Sequence, residues 1–561
     1  MPETIYTADF EAPMPPLKNL ASIVLSDSLA RPSDTLFVDP DAGKSYTLDD
    51  VRRITGRVAY ELQYTHNIKE GDVVGLYTHN QALFSCLILG AMSIGAVVST
   101  MSYAYLPAEA RHAMIVAGMK MLLVLPELRE TAIKAVKLPK QDDEEETERL
   151  QIDGSLSTLV NISKFLEIVQ QDGPCISPKE FSELKYKNDP AFLCFSSGTT
   201  GKFKAVMLTQ HNIATNIYQV AHTDPDYFAG QVYLCNLPQF HLYGLTLLGV
   251  LAPFQGTKVI NMPKFDFTRF IELIIEYKVT KLLVVPPMLV TIAKSPLTVK
   301  YQKELTATLN QLNSGAAPLS ASLVQEVEGL LPGVVVTQGY GLTETSPTAF
   351  QSPRTRPFEK FGSAGKLVPN LEARIIDEDG NDLPRNPESR GELCLRGPSI
   401  FKGYYRNEEA TKNAFLPGRW FKTGDVATVD NEGYWYIVDR AKELIKSKGF
   451  QVAPAELEAL LLTHPDVVDS AVIGIYSEEE ATEYPRAFIA IKPGSKLEKD
   501  PGSVVEWVND KVARYKRLWG GVVVLEQIPK SASGKILRRE LRLRKNDVVH
   551  GLGLAKRQSK L

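Results

Sequence analysis

Over its first 440 residues the chain alternates short, β-branched apolar runs with stretches of helical hydrophobic period. Val73–Tyr77 (VVGLY), Ala191–Phe195 (AFLCF), Thr257–Ile260 (TKVI), Lys281–Val285 (KLLVV) and Gly333–Tyr340 (GVVVTQGY) are near-continuous apolar segments. That pattern predicts strands covered on both faces, and such strands separated by helices predict largely parallel α/β layers. Leu83 to Leu106 is uncharged and matches the ~20 residues a membrane helix needs. Gly90, Ser93, Gly95 and the run Ser99–Tyr103 interrupt it, and no basic residues flank it. A buried helix over Leu83–Ser93 followed by a buried strand over Ala96–Thr100 is therefore expected, with no membrane span.

The pattern changes in the last 120 residues. Pro454 opens a helix with Leu457, Leu460 and Leu461 on one face, the proline in its first turn. Ser470–Tyr476 and Ala487–Ile491 read as strands. A second helix would carry Val505, Val508, Val512 and Tyr515 on one face, and Gly521–Ile528 reads as another strand. The expectation is a large α/β domain with layered sheets and helices, followed by a small α+β domain. The polar stretch Asp439–Lys448 between them is the candidate hinge.

Composition narrows the functional classes. The chain has 561 residues, 44% hydrophobic and 23% charged, which excludes collagen-like, disulfide-scaffold and globally disordered chains. It exceeds the ~250–300 residues one core supports. With 63 Lys plus Arg against 66 Asp plus Glu, the net charge is −3. A pI near 6.3 offers no basic field for nucleic acid. Cys86, Cys175, Cys194, Cys235 and Cys394 are dispersed and form no CxxC pair, so buried free thiols are expected rather than a disulfide framework or zinc site. The acidic run Asp142–Arg149 reads as a solvated loop. The start MPETIYTADFEAP has no apolar core of a secretory signal. Ser559-Lys560-Leu561 is the peroxisomal address tripeptide, which predicts import through a receptor and no membrane anchor.

The strongest chemical signal follows an apolar strand directly: Phe195-Ser-Ser-Gly-Thr-Thr-Gly-Lys-Phe-Lys204. Two glycines let backbone N–H groups converge, four hydroxyls add donors, and Lys202 and Lys204 add positive charge, which together suit a phosphate cradle. The spacing is not that of a Walker A loop.

Further motifs follow in order. They are Pro238-Gln-Phe-His241-x-Tyr243, Ser314-Gly-Ala-Ala-Pro318, Gln338-Gly-Tyr-Gly-Leu-Thr-Glu344 and Gly391-Glu-Leu-Cys-Leu-Arg-Gly397. Then come Thr423-Gly-Asp425, Asp439-Arg440, Lys446-x-Lys-Gly-Phe-Gln451 and Pro529-Lys-Ser-Ala-Ser-Gly-Lys535. Spanning Leu36 to Arg539, this ordered set resembles the acyl-adenylate-forming superfamily, in its 4-coumarate–CoA ligase and luciferase branch. Phe203 and Ala205 stand where the family usually has Pro and Gly.

The resemblance implies an adenylate-forming enzyme fold and a two-step reaction. A carboxylic acid attacks the α-phosphate of Mg·ATP to give acyl-AMP and pyrophosphate, and coenzyme A then displaces AMP. Two anions meet in the first step, so charge neutralisation and in-line positioning dominate. The resemblance places Lys535, His241, Thr343 and Glu344 in catalysis, with Glu344 on Mg²⁺. Ser196, Ser197, Gly198, Thr199, Thr200 and Lys204 would hold phosphates. Tyr340 would stack on adenine beside Gln338 and Gly339, and Asp425 and Arg440 would hold the ribose. Lys446 and Gln451 would also face the nucleotide, and Lys264, Lys448 and Gly449 would serve CoA. Tyr243, Asn313, Gly315, Ala316, Gly339 and Pro347 would line the acid pocket. Domains 1–438 and 443–561 would swing about a hinge at 439–442, centred on Lys442.

Two alternatives remain at this point. One is a luciferase-like monooxygenase, against which His241-Leu-Tyr-Gly244 stands where luciferases read His-His-Gly-Phe. The other is a stand-alone adenylation enzyme loading a carrier-protein thiol. Asn313 replaces the Lys of hydroxycinnamate ligases, so recognition of a ring hydroxyl is not expected to follow their pattern.

Overall fold

The computed structural model describes residues 4–26, 30–137, 159–196, 204–223, 230–317, 319–353, 360–440, 443–447, 450–478, 480, 482–531 and 534–552. Two large sheets are built from the apolar runs. In the nine-stranded sheet, Val335–Gly341, Gln311–Ser314, Lys281–Val284, Val232–Cys235, Lys258–Asn261 and Thr35–Asp39 lie side by side and parallel. Antiparallel strands close both ends. The seven-stranded sheet has Pro190–Ser196, Val97–Met101, Val73–Tyr77, Met119–Val124 and Leu159–Asn161 as its parallel part.

The helix Phe84–Ser93 is buried at every position, and one apolar core includes Leu87 and Ile88 from it, Val98 and Phe192 from one sheet, and Ile260 and Leu282 from the other. That burial explains why Leu83–Leu106 is so apolar. Among the described residues no helix is long and apolar enough to cross a membrane.

A third sheet of six strands is wholly antiparallel and was not expected. It pairs Tyr6–Thr7, Glu372–Ile376, Gly391–Arg396, Trp420–Val429, Phe415–Leu416 and Trp435–Arg440. In Gly391–Arg396, Leu393 and Leu395 face the main core while Cys394 packs with Trp420 on the other side. Both faces are covered, so no alternation betrays the antiparallel pairing.

The small lobe has its own core. Val467–Ser477 and Thr482–Ile491 pair antiparallel and Val522–Val524 joins parallel, while Leu457, Leu461, Val472, Val505 and Val508 pack together. The second helix is shorter than its periodicity predicted. It ends at Asn509, whose side-chain oxygen accepts the Leu518 N–H at 3.0 Å and turns the chain back, leaving Val512 and Tyr515 beyond the helix. The strand expected over Gly521–Ile528 is only Val522–Val524; Ile528 is still buried, in a separate cluster with Leu541. The polar stretch between the lobes begins inside a sheet, since Asp439 and Arg440 end the strand Trp435–Arg440. Ile445–Ser447 then pairs with Phe450–Val452.

Candidate active site

A cavity of about 1080 Å³ opens where the strands Pro190–Ser196, Gln311–Ser314 and Val335–Gly341 end, and the small lobe closes it with Lys530, Ser531 and Lys535. Ligands in open α/β sheets collect at such carboxyl ends.

At one end stand Ser196, Lys204, Thr343 and Glu344. Pro190–Ser196 and Lys204–Thr209 form an antiparallel pair in which Ser196 faces Lys204, and both residues stand at the cavity wall. Ser197, Gly198, Thr199 and Thr200 lie outside the described residues. Glu344 is buried and accepts the Tyr404 hydroxyl at 3.0 Å, while the Lys204 ammonium sits 4.9 Å from the Tyr404 ring centre. Burial, reinforced by Glu344, pushes the Tyr404 phenol up, so it stays a donor. Among the described residues no group of three or more His, Cys, Asp or Glu side chains gathers as a metal cage. A divalent cation at Glu344 would take that carboxylate together with phosphate and water oxygens, a donor set that suits Mg²⁺.

The antiparallel register of Trp420–Val429 with Trp435–Arg440 sets Asp425 opposite Arg440. Their side chains approach to 3.4 Å, and the other Asp425 oxygen accepts the Tyr340 hydroxyl at 2.6 Å. Burial raises the Asp425 carboxyl, opposed by Arg440 and by the Tyr340 bond. Burial first, then the Asp425 charge, pushes Tyr340 well above the usual phenol range. Tyr340 and Arg440 line the cavity and Asp425 backs them. The looser Arg440 contact leaves that carboxylate oxygen suited to a ribose hydroxyl, since a carboxylate only accepts.

Lys535 and His241 share the cavity wall. The turn before Lys535 needs Gly534, which has φ +80° and sits against Val285 and Pro287. The Lys535 backbone N–H donates to Ser531 Oγ at 3.2 Å. Burial and then Arg440 lower the Lys535 ammonium to about 8, while Glu443 and Asp425 favour its charge. His241 is lowered to about 4 by burial and then by Lys535, so it is a neutral imidazole. Its Nδ1 accepts the Tyr243 N–H at 3.3 Å.

Another set of lining residues is uncharged. The Tyr243 hydroxyl donates to the Asn313 carbonyl and side-chain oxygen, both at 3.0 Å, and Asn313 donates to Thr337 Oγ1 at 3.0 Å. A Cβ on Gly315 would lie 3.1 Å from the Tyr243 ring, so glycine keeps the space between them open. Ala316 (φ +68°) turns the chain there, and Gly339 and Pro347 complete the wall with Leu247 and Thr348.

Several expected residues are elsewhere. Gln338 lies at the strand end, its carbonyl accepting the Ser352 N–H at 2.9 Å, off the cavity wall. Lys446 and Gln451 are exposed on the small-lobe hairpin, and Gln451 donates to Glu378 at 2.9 Å; the structure does not bring them to the cavity. Lys264 borders a second cavity of about 230 Å³ with Tyr103, Asn236, Ser531 and Gly534, and pairs with Glu127 at 3.2 Å. Lys442, Lys448, Gly449 and Ser559, Lys560 and Leu561 lie outside the described residues. Tyr404, Tyr105, Glu109 and Leu247 line the main cavity without a motif to announce them. Leu247 follows the His241-x-Tyr243 motif closely, whereas Tyr105, Glu109 and Tyr404 arrive from segments outside the motifs, and Tyr404 shows itself through its contacts with Glu344 and Lys204.

The family model described as AMP-binding enzyme matches residues 26–405, and that of the AMP-binding enzyme C-terminal domain matches residues 456–535. A probable 4-coumarate–CoA ligase 1 of Dictyostelium discoideum is 37% identical over 96% of this chain and 98% of its own. The peroxisomal OPC-8:0-CoA ligase 1 of Arabidopsis thaliana is 33% identical over 96% and 95%. The crystal structure of ATP-bound MatB from Rhodopseudomonas palustris superposes with a TM-score of 0.80 at 27% identity, over 94% of this chain and 98% of that one.

Proposed function

The chain belongs to the AMP-binding enzyme family and is an ATP-dependent acid–CoA ligase, for which we propose the following division of labour. Ser196, Lys204 and the segment between them hold the ATP phosphates, with Mg²⁺ on Glu344. Tyr340, Asp425 and Arg440 hold the nucleoside. Lys535 steadies the charge that develops between the acid and the α-phosphate, a role that calls for a fixed cation rather than acid–base chemistry. His241, neutral and half-buried, shapes the junction of acid and phosphate. A swing of the small lobe about 439–442 then replaces Lys535 with the face carrying Lys448 and Gly449, and coenzyme A completes the thioester.

The observation that carries this reading is the meeting of Lys535 with Glu344, Tyr340 and Arg440 on one cavity wall. The acid pocket would be walled by Tyr243, Asn313, Gly315, Leu247 and Pro347, residues without charge, which favours an acid whose body beyond the carboxylate is uncharged. In Lys535→Ala, acid-dependent ATP–pyrophosphate exchange should be lost by orders of magnitude while thioester formation from supplied acyl adenylate and CoA survives. Equal loss of both half-reactions would refute the role. Peroxisomal residence is supported by Ser559-Lys560-Leu561 and by the name of the Arabidopsis relative. Deleting those three residues should leave both half-reactions intact and move a fluorescently tagged protein to the cytosol; unchanged import would dismiss the address.

A further inference from the structure

The motif Gly391-Glu-Leu-Cys-Leu-Arg-Gly397 has no part in the roles above. Packing accounts for all of it except Glu392. A Cβ on Gly391 would run into the Ile376 carbonyl, and one on Gly397 would lie 2.7 Å from the Asn370 carbonyl oxygen. Leu393, Cys394 and Leu395 are fully buried. Arg396 pairs with Glu372 at 2.6 Å and stands 4.3 Å from the Trp420 ring centre. Of these seven residues only Glu392 lines the main cavity.

The strand ladder is broken beside it. Glu392 stands opposite Val426 and Cys394 opposite Lys422, so Thr423, Gly424 and Asp425 face Leu393 alone. Such a bulge bends its strand and re-aims a side chain, and here the bulge carries Asp425. Three hydrogen bonds hold it. Glu392 Oε1 accepts the Gly424 N–H at 3.1 Å, the Thr423 hydroxyl donates to the Leu393 carbonyl at 2.8 Å, and Thr423 Oγ1 accepts the Asp425 N–H at 3.1 Å. Gly424 has φ +74°, and apart from its chain neighbours nothing lies within 4 Å of where its Cβ would be. Glycine is therefore required there by backbone conformation and not by crowding. With open space on that side, packing does not fix the Gly424 peptide, and the bond to Glu392 does. Asp425, at the end of the bulge, then meets the Tyr340 hydroxyl at 2.6 Å and Arg440 at 3.4 Å.

We propose that Glu392 is a positioning residue for nucleotide binding: its carboxylate straps the Thr423–Asp425 bulge in place and so sets the direction in which Asp425 meets the ribose hydroxyls. This rests on the nucleoside role given to Asp425. The strap asks for an acceptor of this reach and not for a charge. Gln keeps a side-chain oxygen at the same length, whereas Ala has none.

The test uses the full-length enzyme. Acid-dependent ATP–pyrophosphate exchange is measured with ATP and with 2′,3′-dideoxy-ATP, which lacks both ribose hydroxyls. The parent should favour ATP. In Glu392→Ala the KM for ATP should rise about tenfold, the scale of one hydrogen bond to a charged acceptor, while the KM for the acid changes by less than about twofold. The kcat/KM for dideoxy-ATP should hardly move, because the hydroxyls that a misdirected Asp425 would lose are absent from it. Glu392→Gln should stay within about twofold of the parent. Thr423→Val, which unties the same bulge at its other bonds, should repeat the Ala pattern. Equal losses with both nucleotides in Glu392→Ala overturn the proposal, whatever the melting temperature, and mark the motif as scaffold alone. So does an unmoved KM for ATP. A Glu392→Gln enzyme as impaired as Glu392→Ala overturns it as well, since charge and not the strap would then be at work. If Glu392→Ala does not fold, Thr423→Val decides by the same comparison of nucleotides. If the parent does not favour ATP over the dideoxy nucleotide, the nucleoside role of Asp425 falls first. If the parent does and Glu392→Ala keeps that preference in full, only the present inference falls.

Discussion

At the scale of single residues, the motifs name Lys535 and His241, but their protonation states come from what surrounds them. Burial takes His241 down to about 4, and the Lys535 ammonium pushes the same way. The unfolded chain binds a proton at this histidine below about 6.5, whereas the folded protein does not until about 4. The unfolded state therefore holds more protons in that window, and stability falls as pH drops from 6.5 towards 4, by up to ~3 kcal/mol from this group. His241→Gln should flatten that part of the stability-against-pH curve measured by denaturant unfolding; an unchanged slope would show that the imidazole is not held neutral. Asp425 makes the same point differently. Thr423-Gly-Asp425 is legible as a motif, yet its bond to Tyr340 at 2.6 Å joins segments 85 residues apart and no local pattern announces it.

At the scale of elements, strands buried on both faces were the easiest to read, because an apolar run leaves few alternatives. Val73–Tyr77 is a strand with the same bounds, and Lys281–Val285 ends one residue early, at Val284. The antiparallel sheet was missed for the same physical reason, since Leu393 and Cys394 are buried on opposite faces and resemble a parallel strand in sequence. The small-lobe helix ending at Asn509 was overestimated because Val512 and Tyr515 continue its period. They are partly buried against the same core, so the apolar spacing records burial rather than helix. Glycines behave similarly: Gly341 is fixed by the close approach of the Pro347 carbonyl, a neighbour that pairs back only through the Thr348–Gln351 strand.

At the scale of the molecule, two lobes with separate cores meet over one cavity. Lys294 donates to the Val467 carbonyl at 3.1 Å, and Lys535 reaches the wall built by the large lobe. The proposed swing requires such contacts to exchange between the two half-reactions. Proline at Lys442 fixes φ near −65° and removes an N–H. Lys442→Pro should therefore keep acid-dependent ATP–pyrophosphate exchange and lose thioester formation; a bias of ~3 kcal/mol against the rotated state costs about 150-fold. Full thioester formation in Lys442→Pro would show that rotation about this residue is not part of the cycle.

The linear chain was sufficient for the two-lobe plan and the parallel layers, which rest on apolar runs, and its ordered motifs carried the resemblance that implied the chemistry of nucleotide and acid. The third sheet, the pairing of Tyr404 with Glu344, the linkage of Tyr340 to Asp425, and the strap from Glu392 to Gly424 had to await the folded molecule. They depend on which distant segments share a buried volume. Proton affinities follow the same rule, because burial and neighbouring charge, rather than residue type, set Lys535 near 8 and His241 near 4.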